Sequence, residues 1–170
     1  NFKSIGHKME SGDIRIKGSV GMHTGAEMRG GEIIIDGNAS DWLGAEMRGG
    51  VIRVRGDAGN LVGAGYRGSK VGMRDGVIIV DGNAGTEIGA LMRRGTIVLG
   101  SAGDFIGCYA TGGSILVFGD IGDRAGAFMG RGTIVMYHET KLLPTFRYDC
   151  TYNPVFLRML LRWLSNWVDI

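Results

Sequence analysis

The 170-residue sequence has only two prolines, two cysteines and a formal net charge of +2. Collagen combines regular glycine with abundant proline, so that class is excluded despite the many glycines in this chain. Cys108 and Cys150 form no CxxC pair and are too few for a disulfide framework, which favours a reducing cytoplasm as the location. Because the charges nearly balance and are scattered along the chain, we expect no nucleic-acid partner.

Long apolar segments are missing too. No run approaches the roughly eighteen apolar residues that a transmembrane helix needs, and we recognise no signal peptide. We therefore expect no membrane span. The chain begins at Asn1 rather than Met, and it begins inside a repeating pattern, so we expect it to be part of something longer.

Residue sets that carry out catalysis or bind cofactors are also absent. Glycine-rich segments such as Gly18-Ser-Val-Gly21 lack the Lys-Ser/Thr of a phosphate loop and open no helix. No serine or cysteine nucleophile has a base that the pattern places beside it. The three histidines are far apart, without a carboxylate or cysteine at ligand spacing: His7, His23 and His138.

A calcium ladder is not expected either. Asp41, Asp104 and Asp123 share one position of the repeat, but other repeats place methionine, asparagine or threonine there. We therefore predict no catalytic, cofactor-binding or metal-ligating residue in this chain.

Glycine is what the sequence has in excess, with 32 residues that all lie within the first 132. A segment of the form Gly-x-Ile-x-Ile/Val-x-Gly returns about every 19 residues, beginning at Gly12, Gly31, Gly50, Gly76, Gly95, Gly113 and Gly132. A fixed period near twenty indicates a solenoid, in which each repeat buries its apolar face only against its neighbours.

Within each repeat, apolar and polar residues alternate with the period of a β-strand. Isoleucine and valine point inward in pairs such as Ile14 and Ile16, while residues such as Arg15 and Ile79 point outward. The sequence therefore predicts an all-β fold: a single-stranded β-helix of about seven 19-residue coils in residues 1–140. An exit segment and a C-terminal amphipathic α-helix follow in residues 141–170.

The second half of each repeat aligns in columns. A column of glycines is predicted to mark one corner: Gly25, Gly44, Gly63, Gly89, Gly107 and Gly126. A column of small residues, Ala26 to Ala127, is expected in the narrow interior, and methionines such as Met28 and Met47 are expected to fill gaps there.

Two departures from the repeat are candidates for binding. Seven residues from Tyr66 to Gly72 are inserted in the third coil, and insertions in solenoids often mark the binding face; a decorated turn without a role is the alternative.

After an Asn153–Pro154 helix start, Val155–Val168 reads as a helix with Phe156, Met159, Leu160, Trp163, Leu164 and Trp167 on one face. That face is expected to cover the open end of the β-helix or a partner subunit. The candidate interface residues are Tyr66, Arg67, Lys70, Trp163 and Trp167.

One column is positively charged. Arg29, Arg48, Arg74 and Arg93 follow the methionines, so stacking brings like charges to about 5 Å of one another. Two interpretations are open: local compensation by Glu27 and Glu46, or a site for an anion or partner.

Several motifs resemble the glycine-repeat subunit of formylmethanofuran dehydrogenase. They are Gly-Ala-Glu-Met-Arg-Gly-Gly at 25–31 and 44–50, Gly82-Asn-Ala-Gly85, the insertion at Tyr66-Arg-Gly-Ser69 and the exit Lys141-Leu-Leu-Pro-Thr-Phe146. That subunit is a β-helix, similar to the C-terminal domain of glutamate synthase. The resemblance runs from about Gly12 to the tail.

The resemblance implies a non-catalytic scaffold subunit. Its complex reduces CO2 to formate and condenses formate with methanofuran, reversibly, in the first step of methanogenesis. The resemblance places a tungsten or molybdenum molybdopterin, iron–sulfur clusters and a dinuclear metal site in partner subunits, one of the molybdopterin type and one an amidohydrolase.

Three alternatives are open. One is the corresponding glycine-repeat subunit of the bacterial formyltransferase/hydrolase complex, and another is the β-helix domain of a glutamate-synthase-like enzyme. The third, a β-helix enzyme acting on carbohydrate, requires paired carboxylates along a groove, and no convincing pair is present.

Overall fold

Each glycine-flanked repeat forms one short strand. In the computed structural model, which describes residues 2–166, the seven strands stack in chain order as one parallel sheet. They are β1 (Asp13–Ile16), β2 (Glu32–Ile35), β3 (Arg48–Val54), β4 (Asp75–Ala84), β5 (Thr96–Ala102), β6 (Thr111–Val117) and β7 (Arg131–Met136). One helix follows, α1 (Val155–Leu164). The predicted solenoid of about seven coils with a C-terminal helix is confirmed.

Isoleucine stacks directly on isoleucine along the solenoid. Ile14 pairs with Ile33, Ile33 with Ile52, and the same register continues through all seven strands to Ile134. From Ile33 to Ile115 these side chains are at most 2% exposed. The inward positions predicted from the alternation are therefore confirmed, and each coil buries its apolar face only against its neighbours.

The corner glycines allow the isoleucine ladder to pack closely. All six adopt φ between 59° and 68°, a left-handed conformation that side chains disfavour. A Cβ added at Gly44 would lie 2.5 Å from Cδ1 of Ile78, and the other corner glycines up to Gly107 face an isoleucine in the same way. The predicted glycine column is confirmed, and close packing is its main cause.

Side-chain oxygens tie successive coils together at two further corners. Oδ1 of Asp41 accepts the backbone N–H of Asn60 at 2.8 Å, and Oδ1 of Asp104 accepts that of Asp123 at 2.8 Å. At the neighbouring corner, Oδ1 of Asn38 accepts the N–H of Asp57 at 3.0 Å. These oxygens satisfy backbone donors of the next coil, which gives the aspartate column a structural role.

The helix α1 packs on the outer face of the chain's own sheet. Leu157, Leu160, Leu161 and Leu164 contact an apolar patch of outward positions, Val77, Ile79, Val98 and Leu116. The expectation that the helix covers the open end of the solenoid is therefore wrong. The reason is that β4 to β6 are apolar on both faces, so their outer face also needs a cover.

The buried face of α1 also differs from the predicted one. Of the predicted residues that the structure describes, Leu160 and Leu164 alone belong to both faces, while Phe156, Met159 and Trp163 are 46%, 68% and 43% exposed. The N-cap is Pro154 without a side-chain cap hydrogen bond, so the predicted Asn153 cap is wrong by one residue. Trp167 lies outside the described residues.

The exit segment instead covers part of the open end of the solenoid, where β7 has no fully buried residue. A Cβ added at Gly126 would lie 2.7 Å from Cζ of Phe146, which therefore takes the place that isoleucine holds over each earlier corner glycine. A turn with the N–H of Phe146 donating to the carbonyl of Leu143 at 3.0 Å holds the ring there. Covering the last coil in this way limits the exposed apolar edge.

We expect Gly44→Ala to destabilise the fold by about 2–4 kcal/mol, because it forces a side chain into a left-handed conformation and displaces Ile78. The control is Gly18→Ala, since an added Cβ there meets nothing within 4 Å. Its effect should stay within about 0.5 kcal/mol. Urea denaturation measures both, and equal effects would contradict the close-packing explanation.

Candidate partner interface

Two ridges of side chains flank the corner glycines on the outside of the solenoid. The residue two positions before each corner glycine belongs to the first ridge. The residue two positions after it belongs to the second ridge in all coils but one. The first ridge comprises His23, Trp42, Leu61, Glu87, Phe105 and Arg124, and the second comprises Glu27, Glu46, Leu91, Tyr109 and Phe128. All of them have positive φ, from 51° to 64°, held by hydrogen bonds between coils such as that from the N–H of Trp42 to the carbonyl of Asn60 at 2.9 Å.

A groove runs between the two ridges, and small residues form its floor. Ala64, Ala90, Cys108 and Ala127 are buried there beside Trp42, Leu61 and Phe105, in a cluster separate from the central core. The small-residue column is therefore buried, but it does not fill the interior as the sequence pattern predicts. The alternation of apolar and polar residues ends before the corner. It therefore does not predict whether the small-residue column faces the interior or the groove.

The insertion fills one part of this groove with Tyr66. Its ring lies 5.0 Å from that of Trp42 and 5.6 Å from that of His23, measured between centroids. Its hydroxyl hydrogen-bonds to Nδ1 of His23 at 3.1 Å, and its backbone N–H donates to Oε1 of Glu46 at 3.2 Å. The predicted interface residue Tyr66 is thus anchored on its own chain, which fixes the rest of the insertion in place.

The groove continues past the insertion toward the C-terminal end. A cleft of 340 Å³ lies beside Arg67, Leu91 and Tyr109, with Cys108 in its floor. A larger cleft of 690 Å³ follows between Phe105, Phe128 and the exit residues 143–146. The sequence pattern does not identify these ridge residues. A single aromatic residue near a glycine does not reveal which residues of other coils lie beside it in space.

Exposed aromatic side chains mark this part of the groove. The rings of Tyr109 and Phe128 stack with centroids 4.9 Å apart, yet the residues are 52% and 76% exposed. The guanidinium of Arg124 lies over the ring of Phe105 at 5.1 Å from its centroid. Aromatic residues with neighbouring arginine are typical of the energetically important part of protein interfaces.

The remaining predicted interface residues lie apart from one another. Arg67 and Lys70 are exposed on the insertion. Trp163 lines a different cleft of 410 Å³ with Val51, Val77 and Thr96, and no insertion residue lines that cleft. The structure thus brings together the insertion residues but not the helix tryptophan.

Burial raises the pKa of the Tyr66 hydroxyl above its ordinary value, and the carboxylates of Glu27 and Glu46 raise it further. The neutral form is favoured in the folded state, so this contribution to stability is present below the ordinary tyrosine pKa of about 10. It is lost as the pH rises through the higher, folded value.

We expect Tyr66 to ionise later than an exposed tyrosine in an alkaline absorbance titration. Comparing the chain with Tyr66→Phe isolates its signal, and Tyr148→Phe is the matched control because Tyr148 is 82% exposed. Ionisation of Tyr66 at or below the ordinary tyrosine pKa of about 10 would show that the insertion does not pack against His23 and Trp42.

Within residues 2–166 no group of three or more histidine, cysteine or acidic residues is placed to hold a metal ion. No helix in that range is long and apolar enough to cross a membrane. Cys108 and Cys150 are both free thiols, and burial raises the pKa of Cys108 to about 11, which keeps it protonated at neutral pH.

Two comparisons with known proteins bear on this surface. Residues 3–155 match the model of a family described by its GXGXG motif. The chain is also 37% identical to a chain in the crystal structure of the formyltransferase/hydrolase complex from Methylorubrum extorquens in complex with methylofuran, with a TM-score of 0.90 over 95% of this chain. It spans 61% of the length of that chain. No protein with a curated description matches the sequence.

Proposed function

This chain belongs to the GXGXG motif family, and we propose that it is the β-helical scaffold subunit of a multi-subunit complex that handles formyl groups. The observation that carries the proposal is the 37% identity and TM-score of 0.90 to a chain of the formyltransferase/hydrolase complex. The same observation favours such a complex over a glutamate-synthase-like enzyme, which the glycine repeat alone also fits.

Two forms of the complex are candidates. The Gly-Ala-Glu-Met-Arg repeats and the Leu142-Leu-Pro144 exit support a formylmethanofuran dehydrogenase, which reduces CO2 and condenses the formate with methanofuran. The similarity to the Methylorubrum chain supports a formyltransferase/hydrolase. In either case we assign catalysis, and any molybdopterin, iron–sulfur cluster or dinuclear metal site, to cytoplasmic partner subunits.

A scaffold role agrees with the surfaces of this chain. The coils bury their own core, and the groove aromatics and the outer face of α1 are among the large apolar side chains left exposed. Val155, Phe156 and Met159 are 46% to 68% exposed on that face, and Trp163 is 43% exposed. We propose that partner subunits cover this face and the insertion residues Arg67 and Lys70, with Trp163 as an aromatic anchor.

We expect the chain, purified with a tag from its own host, to appear in native mass spectrometry as one subunit of a hetero-oligomer. Tungsten or molybdenum together with iron in the complex, measured by elemental analysis, would identify the dehydrogenase. Formyl hydrolysis without these metals would identify the formyltransferase/hydrolase. Purification of the chain alone, or with flavin and glutaminase subunits, would contradict the proposal.

A further inference from the structure

Two arginines of the column Arg29, Arg48, Arg74 and Arg93 form ion pairs within the described part of the chain, and the other two do not. In the first coils each arginine has a carboxylate of its own chain: Nη1 of Arg29 lies 3.2 Å from Oε1 of Glu10, and Nη2 of Arg48 lies 3.8 Å from Oε2 of Glu27. Local compensation is therefore observed for these two arginines, but not with the predicted partners: Arg29 pairs with Glu10 instead of Glu27, and Arg48 with Glu27 instead of Glu46. Their partners show which group the column binds, namely a carboxylate at the level of a neighbouring coil.

The next two members of the column, Arg74 and Arg93, are exposed and have no such partner within residues 2–166. Their backbone places them in the same column, because the N–H of Arg74 donates to the carbonyl of Met47 at 2.7 Å and that of Arg93 to the carbonyl of Met73 at 2.9 Å. They therefore stand on adjacent coils, about 5 Å apart.

The insertion explains why the compensation stops here. By analogy with the Arg48–Glu27 pair, Glu46 is the carboxylate expected for Arg74, but Oε1 of Glu46 accepts the backbone N–H of Tyr66. The equivalent second-ridge position below Arg93 is Gly65, which has no side chain. Beyond Arg93 the column continues with Thr111, so no carboxylate follows on that side either.

Further positive charge surrounds this pair. Arg94 follows directly and is exposed, and the exposed Lys70 and Arg67 lie on the insertion that leads into Arg74. Asp75, which follows Arg74 in the chain, uses Oδ1 to accept the N–H of Gly76 at 2.8 Å and forms no ion pair with a described residue. Stacked like charges repel unless they spread into water or an anion lies between them, so this exposed strip is electrostatically complementary to carboxylates from outside the chain.

We propose that the basic strip formed by Arg74, Arg93 and Arg94 binds an acidic helix of a neighbouring subunit. Carboxylates three or four residues apart on a helix are about 5–6 Å apart at Cβ, which matches two arginines on adjacent coils. Acidic residues with the i, i+2 spacing of a strand are about 6.6 Å apart and match less well. The proposal rests on the proposed function, because it requires an assembled complex.

The test uses the assembled complex and a zero-length carbodiimide, which joins amines to carboxylates. Arg74→Lys/Arg93→Lys places amines on the strip, and Arg29→Lys/Arg48→Lys is the matched control. The control variant should cross-link within the chain, to Glu10 and Glu27. The strip variant should cross-link to acidic residues three or four positions apart in another subunit, as identified by mass spectrometry of the peptides.

A second measurement uses Arg74→Ala/Arg93→Ala, whose assembly at low salt should weaken about tenfold or more and lose most of its salt dependence. Arg29→Ala/Arg48→Ala should change assembly by less than about threefold. Equal assembly of the two variants, with cross-links of the strip variant only inside the chain, would overturn this inference and leave the proposed function intact. Failure of the unsubstituted chain to assemble would refute the proposed function itself.

Discussion

The close approach of isoleucine to the corner glycines is the constraint on which the rest of the structure depends. Cδ1 of Ile78 occupies the space where a side chain at Gly44 would begin, and the same contact recurs along the solenoid. The backbone of the same corner takes left-handed φ values even at Trp42 and Phe105, where hydrogen bonds to the next coil hold it. Their side chains then point out from the solenoid, and the ridges and the groove follow from this geometry.

The outer surface has one part whose side chains pair within the chain and another part whose apolar and charged side chains are left exposed. Before the insertion, Arg15 and Arg55 both pair with Asp36, at 3.3 and 3.2 Å, and Tyr66 of the insertion fills one part of the groove. Past the insertion the groove is open, its aromatic rings are exposed, and Arg74 and Arg93 form no ion pair with a carboxylate among the described residues. A scaffold subunit is expected to have such a division, because it folds on its own coils and uses the remaining surface for assembly.

The sequence predicts the periodic features well. The ladder from Ile14 to Ile134 and the glycine corner follow from residue type and spacing. The sequence analysis does not predict that α1 packs on the outer face, since that depends on several strands being apolar on both sides. Ile79 and Leu116, apolar residues at outward positions, are the sequence features that indicate an apolar outer face. The interaction of Tyr66 with His23 joins residues 43 apart through an irregular insertion, for which no periodic pattern exists.

Hydroxyl-radical footprinting of the isolated chain and of the chain within its complex tests the scaffold account most directly. The account predicts that Phe128 and Met159, which are 76% and 68% exposed in the isolated chain, become protected in the complex. Met47, which is fully buried, should stay unreactive in both and confirms that the β-helix remains folded. Unchanged reactivity of both Phe128 and Met159 would contradict the account, because these surfaces would then contact no partner.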